Sequence, residues 1–279
     1  MPKLLVKKFN GDLVPFDRSR LLGSLKRSGA SDRTADIITQ AVELESYDGI
    51  STREIYKKAS DLLYKQERGT GVKYRLKQAI LELGPSGYPF EKFVAELFKS
   101  RGFEVETGVM MQGWSVMHEV DVVAQNPDKY YIVECKFHND LSTKSDVKIP
   151  MYFQSRLYDL KRVLRNGESK DKKAFAGWLV TNTRFTKDAI KFGNDYGLVM
   201  LSWDYPESGG LREWIELEGM HPITSLSSLT KKEKKQLLAE GIVRCSQLYE
   251  QPELMDKLPI KLRNKKAALN ELNAVFLGH

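Results

Sequence analysis

Asp121, Glu134 and Lys136 carry the clearest chemistry in this chain. They fall in His118-Glu119-Val120-Asp121-Val122-Val123-Ala124, then a turn at Asn126-Pro127-Asp128, then Tyr131-Ile132-Val133-Glu134-Cys135-Lys136. Read as two strands, the side chains alternate, so Glu134 and Lys136 share a face while Val133 and Cys135 enter a core. Asp121 precedes Glu134 by thirteen residues, and a hairpin of that length brings the two acids together. Two carboxylates and an ammonium then share one end of an apolar hairpin. Clustered oxygen ligands suit Mg²⁺, a hard ion that keeps several waters and takes one or two carboxylates plus a substrate phosphate. Such an ion polarises the phosphate and lowers the pKa of a bound water. Lys136 would orient that water or offset charge in the transition state. This set suits phosphodiester hydrolysis. The alternative is an edge strand showing Glu134 and Lys136 to solvent as an ordinary charge pair, because this spacing often arises by chance. Both strands are otherwise apolar, and buried charge is costly unless compensated, which favours a functional site.

The elements that must hold these residues can be read on either side. With 279 residues and 31.9 kDa, the chain has room for two or three domains. No run of about 18 apolar residues marks a membrane span, and the first residues lack a leader's apolar stretch. Two cysteines, Cys135 and Cys245, make no disulfide framework and no CxxC zinc site. The expectation is a cytoplasmic protein with no membrane partner. Punctuation at Gly84-Pro85-Ser86-Gly87 and at Gly219-Met220-His221-Pro222 divides the chain into residues 1–87, 88–222 and 223–279.

The first segment reads as a strand over 4–9, an Asn10-Gly11 turn, a strand over 13–16 and four helices. Asp17 caps the first helix, Ser31 or Asp32 starts the second, Thr52 caps the third, and the fourth runs over 72–83. The middle segment opens with a helix over 90–100, closed by Gly102. Strands at 103–107, 119–124, 130–136, 177–181 and 198–203 follow, with helices over 151–164 and 186–196. That mixture predicts an α/β fold with a central sheet. The third segment is helical, with a Thr230/Glu233 capping box, a short helix near 246–249 and a last helix over 260–276.

The net charge is +7, spread as +5, −2 and +4 over the three segments. The acidic middle lies between basic flanks, which fits nucleic-acid or nucleotide partners. Gln154 either faces the site from the following helix or is an ordinary surface amide. His118 either touches phosphate or is incidental. His138, His221 and His279 show no ligand spacing.

Three stretches together resemble the PD-(D/E)xK nuclease superfamily: Phe90-Glu91-Lys92-Phe93-Val94-Ala95 closing at Gly102-Phe103, then Glu119-Val120-Asp121, then Glu134-Cys135-Lys136. The similarity is greatest to its Mrr-like restriction endonuclease and Holliday-junction resolvase branch, and spans about residues 88–222. The resemblance implies a Mg²⁺- or Mn²⁺-dependent DNA endonuclease, working as a homodimer or higher homo-oligomer. It assigns catalysis to Glu91, Asp121, Glu134 and Lys136, with Glu91, Asp121 and Glu134 as metal ligands. Glu96 competes with Glu91. Many Mrr-type enzymes have Gln where this chain has Glu134.

Residues 3–83 resemble the ATP-cone, a regulatory nucleotide-binding domain. The resemblance rests on Val6-Lys7-Lys8-Phe9-Asn10-Gly11, Pro15-Phe16-Asp17-Arg18-Ser19-Arg20-Leu21, Tyr47-Asp48-Gly49-Ile50-Ser51-Thr52 and Tyr74-Arg75-Leu76-Lys77. It implies ATP or dATP as an effector, with Lys7, Lys8 and Arg20 on phosphates and Val6, Asp17, Leu21 and Thr52 lining the pocket. Phe9 stands where that family usually has arginine. No Walker loop is present, so nothing points to ATP hydrolysis. The third segment is similar to helix-hairpin-helix modules, which hold DNA phosphate on backbone amides, though the usual Gly-x-Gly is missing. Two other readings follow from the same residues: a nucleotide-sensing DNA-binding regulator without turnover, and a structure-specific nuclease acting on branched DNA or RNA.

Overall fold

Apolar residues at helical spacing, punctuated by capping side chains, build the first part of the chain. The computed structural model describes residues 4–8, 11–166 and 173–277. Strands β1 (Leu5–Lys7) and β2 (Leu13–Pro15) pair antiparallel, and their connection closes with the Gly11 N–H on the Lys8 carbonyl. Phe9 and Asn10 lie outside the described residues. Helix α1 (Arg18–Arg27) is capped by Asp17, which accepts the Arg20 N–H at 3.2 Å. Ser31 caps α2 (Asp32–Leu44). A short strand β3 (Ile50–Ser51), not foreseen in the sequence, joins β1 in parallel, giving the order β2-β1-β3.

Ser51, rather than Thr52, then caps α3 (Thr52–Gln66). Ser51 has the extended backbone that a cap needs, and Glu54 completes a capping box with it. The expected fourth helix is two, α4 (Arg68–Tyr74) and α5 (Leu76–Leu81).

The catalytic candidates belong to the next elements. Helix α6 (Tyr88–Lys99) has a proline in its first turn and buries Phe90, Phe93, Val94, Leu97 and Phe98. Gly102, at φ 81°, ends it as expected. Then come β4 (Glu104–Gln112), β5 (Met117–Gln125), β6 (Lys129–Lys136), β7 (Lys144–Ser145), α7 (Lys148–Asn166), β8 (Ala174–Thr181), β9 (Arg184–Phe185), α8 (Lys187–Asp195), β10 (Val199–Leu201) and α9 (Leu211–Leu217). The main sheet is mixed, in the order β10-β8-β6-β5-β4. β4, β5 and β6 are antiparallel neighbours, while β6, β8 and β10 run parallel with α7 and α8 as crossovers. One face packs Phe98 edge to face against Phe103, Tyr131, Trp178 and Trp214. The other packs Ile132 and Leu179 against Phe153 and Leu157 of α7. β7 and β9 form a small separate pair that the sequence did not announce. Among the described residues, no helix is long and apolar enough to cross a membrane.

Helices α10 (Lys231–Ala239), α11 (Cys245–Glu250) and α12 (Leu262–Phe276) finish the chain, with the Thr230/Glu233 capping box in place. Two compact units result. One comprises Met1–Ala79, Ile223–Gln236 and Cys245–His279, and the other Ile80–Pro222 and Leu237–Arg244. The first and third segments, read as separate in the sequence, thus contribute to one unit. The contact is close: a Cβ on Gly69 would meet the Ala274 carbonyl at 2.3 Å. Thr224 donates to the Ala79 carbonyl at 2.6 Å.

Candidate active site

The strands that carry the acids part where Asp121 sits. β5 and β6 pair regularly from Gln125–Tyr130 to Val122–Val133, and one more step would set Asp121 opposite Glu134. At that step the ladder stops, and an Asp121 carboxylate oxygen accepts the Cys135 N–H at 2.7 Å. On the other side of β5, Gly108 faces Asp121 with φ 63°, a conformation that favours glycine, and the β4 pairing skips this position. Val120 and Val123 consequently face the same core although three residues apart. Simple alternation breaks at Asp121, whose side chain takes the place of a strand carbonyl. A fixed, half-buried carboxylate is the result.

Along β6 the expected alternation holds. Val133 and Cys135 are buried, while Glu134 and Lys136 share the opposite face. Glu134 accepts from Arg156 of α7 at 2.5 Å. Arg156 also donates to the Glu119 carbonyl. Glu91 sits in the first turn of α6 and is half-buried. Burial pushes its carboxyl up to about 7, and the charges of Asp121 and Glu119 push the same way. Burial likewise lifts Glu134 to about 7, with Asp121 adding and Arg156 opposing. Asp121 itself is raised by burial, against the pull of the Cys135 N–H and Arg156. Asp121 is therefore the common neighbour of Glu91 and Glu134. Glu96 is engaged elsewhere, in an ion pair with Arg244 at 2.7 Å.

Among the described residues, no three His, Cys, Asp or Glu side chains converge closely enough to cage a metal ion. The donor set nevertheless fits a hard divalent cation. Partly desolvated carboxylates, each destabilising its neighbour's charge, are relieved by a cation that takes one or two of them and keeps waters.

These acids fix a pH dependence for the metal-free protein. Folded Glu91 and Glu134 keep their protons up to about 7, whereas unfolded glutamates release them near 4.5. The folded state binds more protons between those values, so stability falls as pH rises through that window. Melting in EDTA from about pH 5 to 8 should show a falling Tm, with a shallower slope in Glu134→Gln. A Tm that rises over this range contradicts the assignment.

The sequence did not single out Arg156, which carries no motif signal of its own. It also did not single out Asp159. Asp159 accepts from His118 at 2.9 Å and from the Ser115 N–H at 2.9 Å, so His118 belongs to a clamp on the β4–β5 connection. His138 is held through reciprocal hydrogen bonds with Asn182 at 2.8 Å. Gln154 lines a cavity with Tyr158 and Phe175. In the other unit, Val6 and Leu21 are core residues, and Asp17 is occupied as a helix cap and in an ion pair with Arg20 at 3.1 Å. Lys7, Lys8 and Thr52 are exposed. Folding alone accounts for Val6, Leu21 and Asp17.

Comparison with known proteins places these units. A family model described as "Restriction endonuclease" matches residues 84–204, and one described as "AF1548-like, C-terminal" matches residues 221–276. An uncharacterized protein of Archaeoglobus fulgidus is 34% identical over 175 residues, spanning 62% of this chain and 93% of that protein. The crystal structure of a protein of unknown function, AF1548, superposes with a TM-score of 0.58 at 29% identity, over 70% of this chain and 100% of that one. The MspJI restriction endonuclease, in complex with a 27-mer oligonucleotide, matches with a TM-score of only 0.33 at 13% identity, too remote to carry an argument.

Proposed function

The chain belongs to the same family as that Archaeoglobus fulgidus protein and carries a restriction-endonuclease domain before an AF1548-like C-terminal domain; on that premise we propose that it is a divalent-metal-dependent DNA endonuclease. The observation that carries this is the break in the β5–β6 ladder, which gathers Asp121, Glu134 and Lys136 at one point of the sheet. Asp121 and Glu134, with Glu91 beside them, would hold Mg²⁺ or Mn²⁺. When bound, the ion would polarise the scissile phosphate and lower the pKa of a water. The Cys135 N–H fixes Asp121, and Arg156 fixes Glu134, so neither carboxylate must reorganise to receive charge. Lys136 supplies a proton donor and a positive charge beside the phosphate oxygens. A cleavage panel tests the reading, using linear, supercoiled, methylated and branched DNA and RNA, with Mg²⁺ or EDTA and with or without ATP. Cleavage of DNA that EDTA abolishes supports it, and turnover of no nucleic acid overturns it. The branched arms separate a duplex endonuclease from a structure-specific one.

Two finer readings belong to the other unit. ATP or dATP as an effector is supported by the resemblance of residues 3–83 to the ATP-cone, and DNA contact by the helix-hairpin-helix likeness of the C-terminal helices. Nucleotide at 100-fold above its Kd should stabilise the protein by about 2.7 kcal/mol, seen as a rise in Tm. Lys8→Ala should abolish the rise. No shift, or one indifferent to Lys8→Ala, rejects the effector site.

A further inference from the structure

A cavity of about 600 Å³ lies in the nuclease unit, between α7, the start of β8 and the end of α8. Gln154, Tyr158, Lys161, Arg162, Phe175 and Tyr196 line it. Among the described residues its lining is lopsided: two cations, three aromatic rings, one amide and no carboxylate. Tyr158 and Tyr196 show 68% and 58% of their surface to solvent, Tyr196 with one face stacked on Phe192 at 4.3 Å and the rest open. The cations are set against π faces. Lys161 Nζ lies 5.4 Å from the centroid of Phe175, and the Arg162 guanidinium lies 3.9 Å from that of Trp114. Among the described residues neither forms an ion pair.

Trp114 extends this surface beyond the cavity and is 55% exposed. Its backbone N–H donates to the Asp159 carbonyl on α7 at 3.1 Å, and the Asp159 side chain accepts the Ser115 N–H, so the backbone that carries the ring is anchored. Exposed rings beside cations that pair with no described carboxylate suit a planar base joined to a phosphate. An amide at the wall can read a base edge.

The cavity lies apart from the acids but on the same face of the sheet. Leu179 pairs with Glu134, and Gly177 and Phe175 precede it by two and four residues with the same orientation. The separation along the strand is roughly 7–13 Å, the reach of a few linked nucleotides. Gln154, Tyr158, Lys161 and Arg162 come from α7, the helix that also delivers Arg156 to Glu134.

We propose that this cavity binds one unstacked nucleotide of the nucleic-acid strand, its base among Tyr158, Phe175 and Tyr196 and its phosphates on Lys161 and Arg162. The inference rests on the nuclease reading for the strand's being the substrate. The same chemistry would accept a free nucleotide, so the test must separate the two sources.

Fluorescence anisotropy of a labelled short single-stranded DNA, in EDTA so that no cleavage occurs, measures the site. Tyr196→Ala should weaken binding by about tenfold, as loss of one base-stacking ring does. Lys161→Glu should weaken it at least as much, while Lys161→Arg should bind like wild type. The substituted side chains are at least partly exposed, and an unchanged Tm would confirm folding. Excess ATP should displace the strand poorly. Unaltered affinity in both Tyr196→Ala and Lys161→Glu overturns the site, and complete displacement by ATP overturns the strand as its occupant. Cleavage with Mg²⁺ is scored separately. Active wild type with unaltered binding in the variants refutes the cavity alone; inactive wild type with weakened binding in them refutes the nuclease alone.

Discussion

Lys136→Ala should lower metal-dependent DNA cleavage by about 10²–10³-fold, the usual cost of removing one preorganised donor to a developing oxyanion. The loss should fall on kcat, with KM nearly constant, because the ammonium matters most as charge accumulates on the phosphate. Lys136 projects from the same face of β6 as Glu134, at the end of the strand and half-buried. It pairs in register with Thr181 of β8, so the backbone beneath it is fixed. Lys136→Arg should recover only part of the rate, since a planar fork replaces a compact point charge. Equal rates in wild type and Lys136→Ala would remove the residue from the mechanism. A loss confined to KM would make it a binding group only.

Glu271→Ala should destabilise the other unit by roughly 3–5 kcal/mol, the largest stability effect expected from any single substitution discussed. Glu271 is fully buried in α12 and satisfies groups from two other parts of that unit. Its carboxylate accepts the N–H groups of Ser227 and Ser228, each at 3.1 Å, the Ser228 hydroxyl at 3.1 Å, and the Tyr64 hydroxyl of α3. Burial and this carboxylate raise the Tyr64 hydroxyl pKa, so the tyrosine remains a donor. Truncation strands several buried donors at once, and each costs about 1–3 kcal/mol less whatever water can recover. Glu271→Gln should cost less, because one amide oxygen still accepts. Urea unfolding monitored by circular dichroism measures both. A change below about 1 kcal/mol in Glu271→Ala would show that the network contributes little.

How far the sequence could be read depended on the range of the interactions. Caps at Asp17, Ser31 and Thr230, and the glycine stop at Gly102, are local chemistry, and the structure has each of them. The face shared by Glu134 and Lys136 follows from strand period alone. Asp121 was legible as an acid in an apolar strand. Its capture of the Cys135 N–H was not, because that contact is made between strands and leaves no mark in the local pattern. Arg156 was likewise hidden, since an arginine on an amphipathic helix looks the same whether it meets water or Glu134. The pooling of the first and third segments is a long-range event, made by contacts such as Tyr64–Glu271 that no local pattern announces. For the nucleotide-pocket residues, core packing and capping explain Val6, Leu21 and Asp17 equally well.

The central claim is that Asp121, Glu134 and Lys136 form a metal-dependent hydrolytic centre. The most direct test is a time course of supercoiled plasmid with Mg²⁺, comparing wild type with Asp121→Ala. Wild type should nick or linearise the plasmid, EDTA should stop it, and Asp121→Ala should leave the plasmid supercoiled while keeping a folded circular dichroism spectrum. Equal nicking by the two proteins, or nicking that survives EDTA, would contradict it.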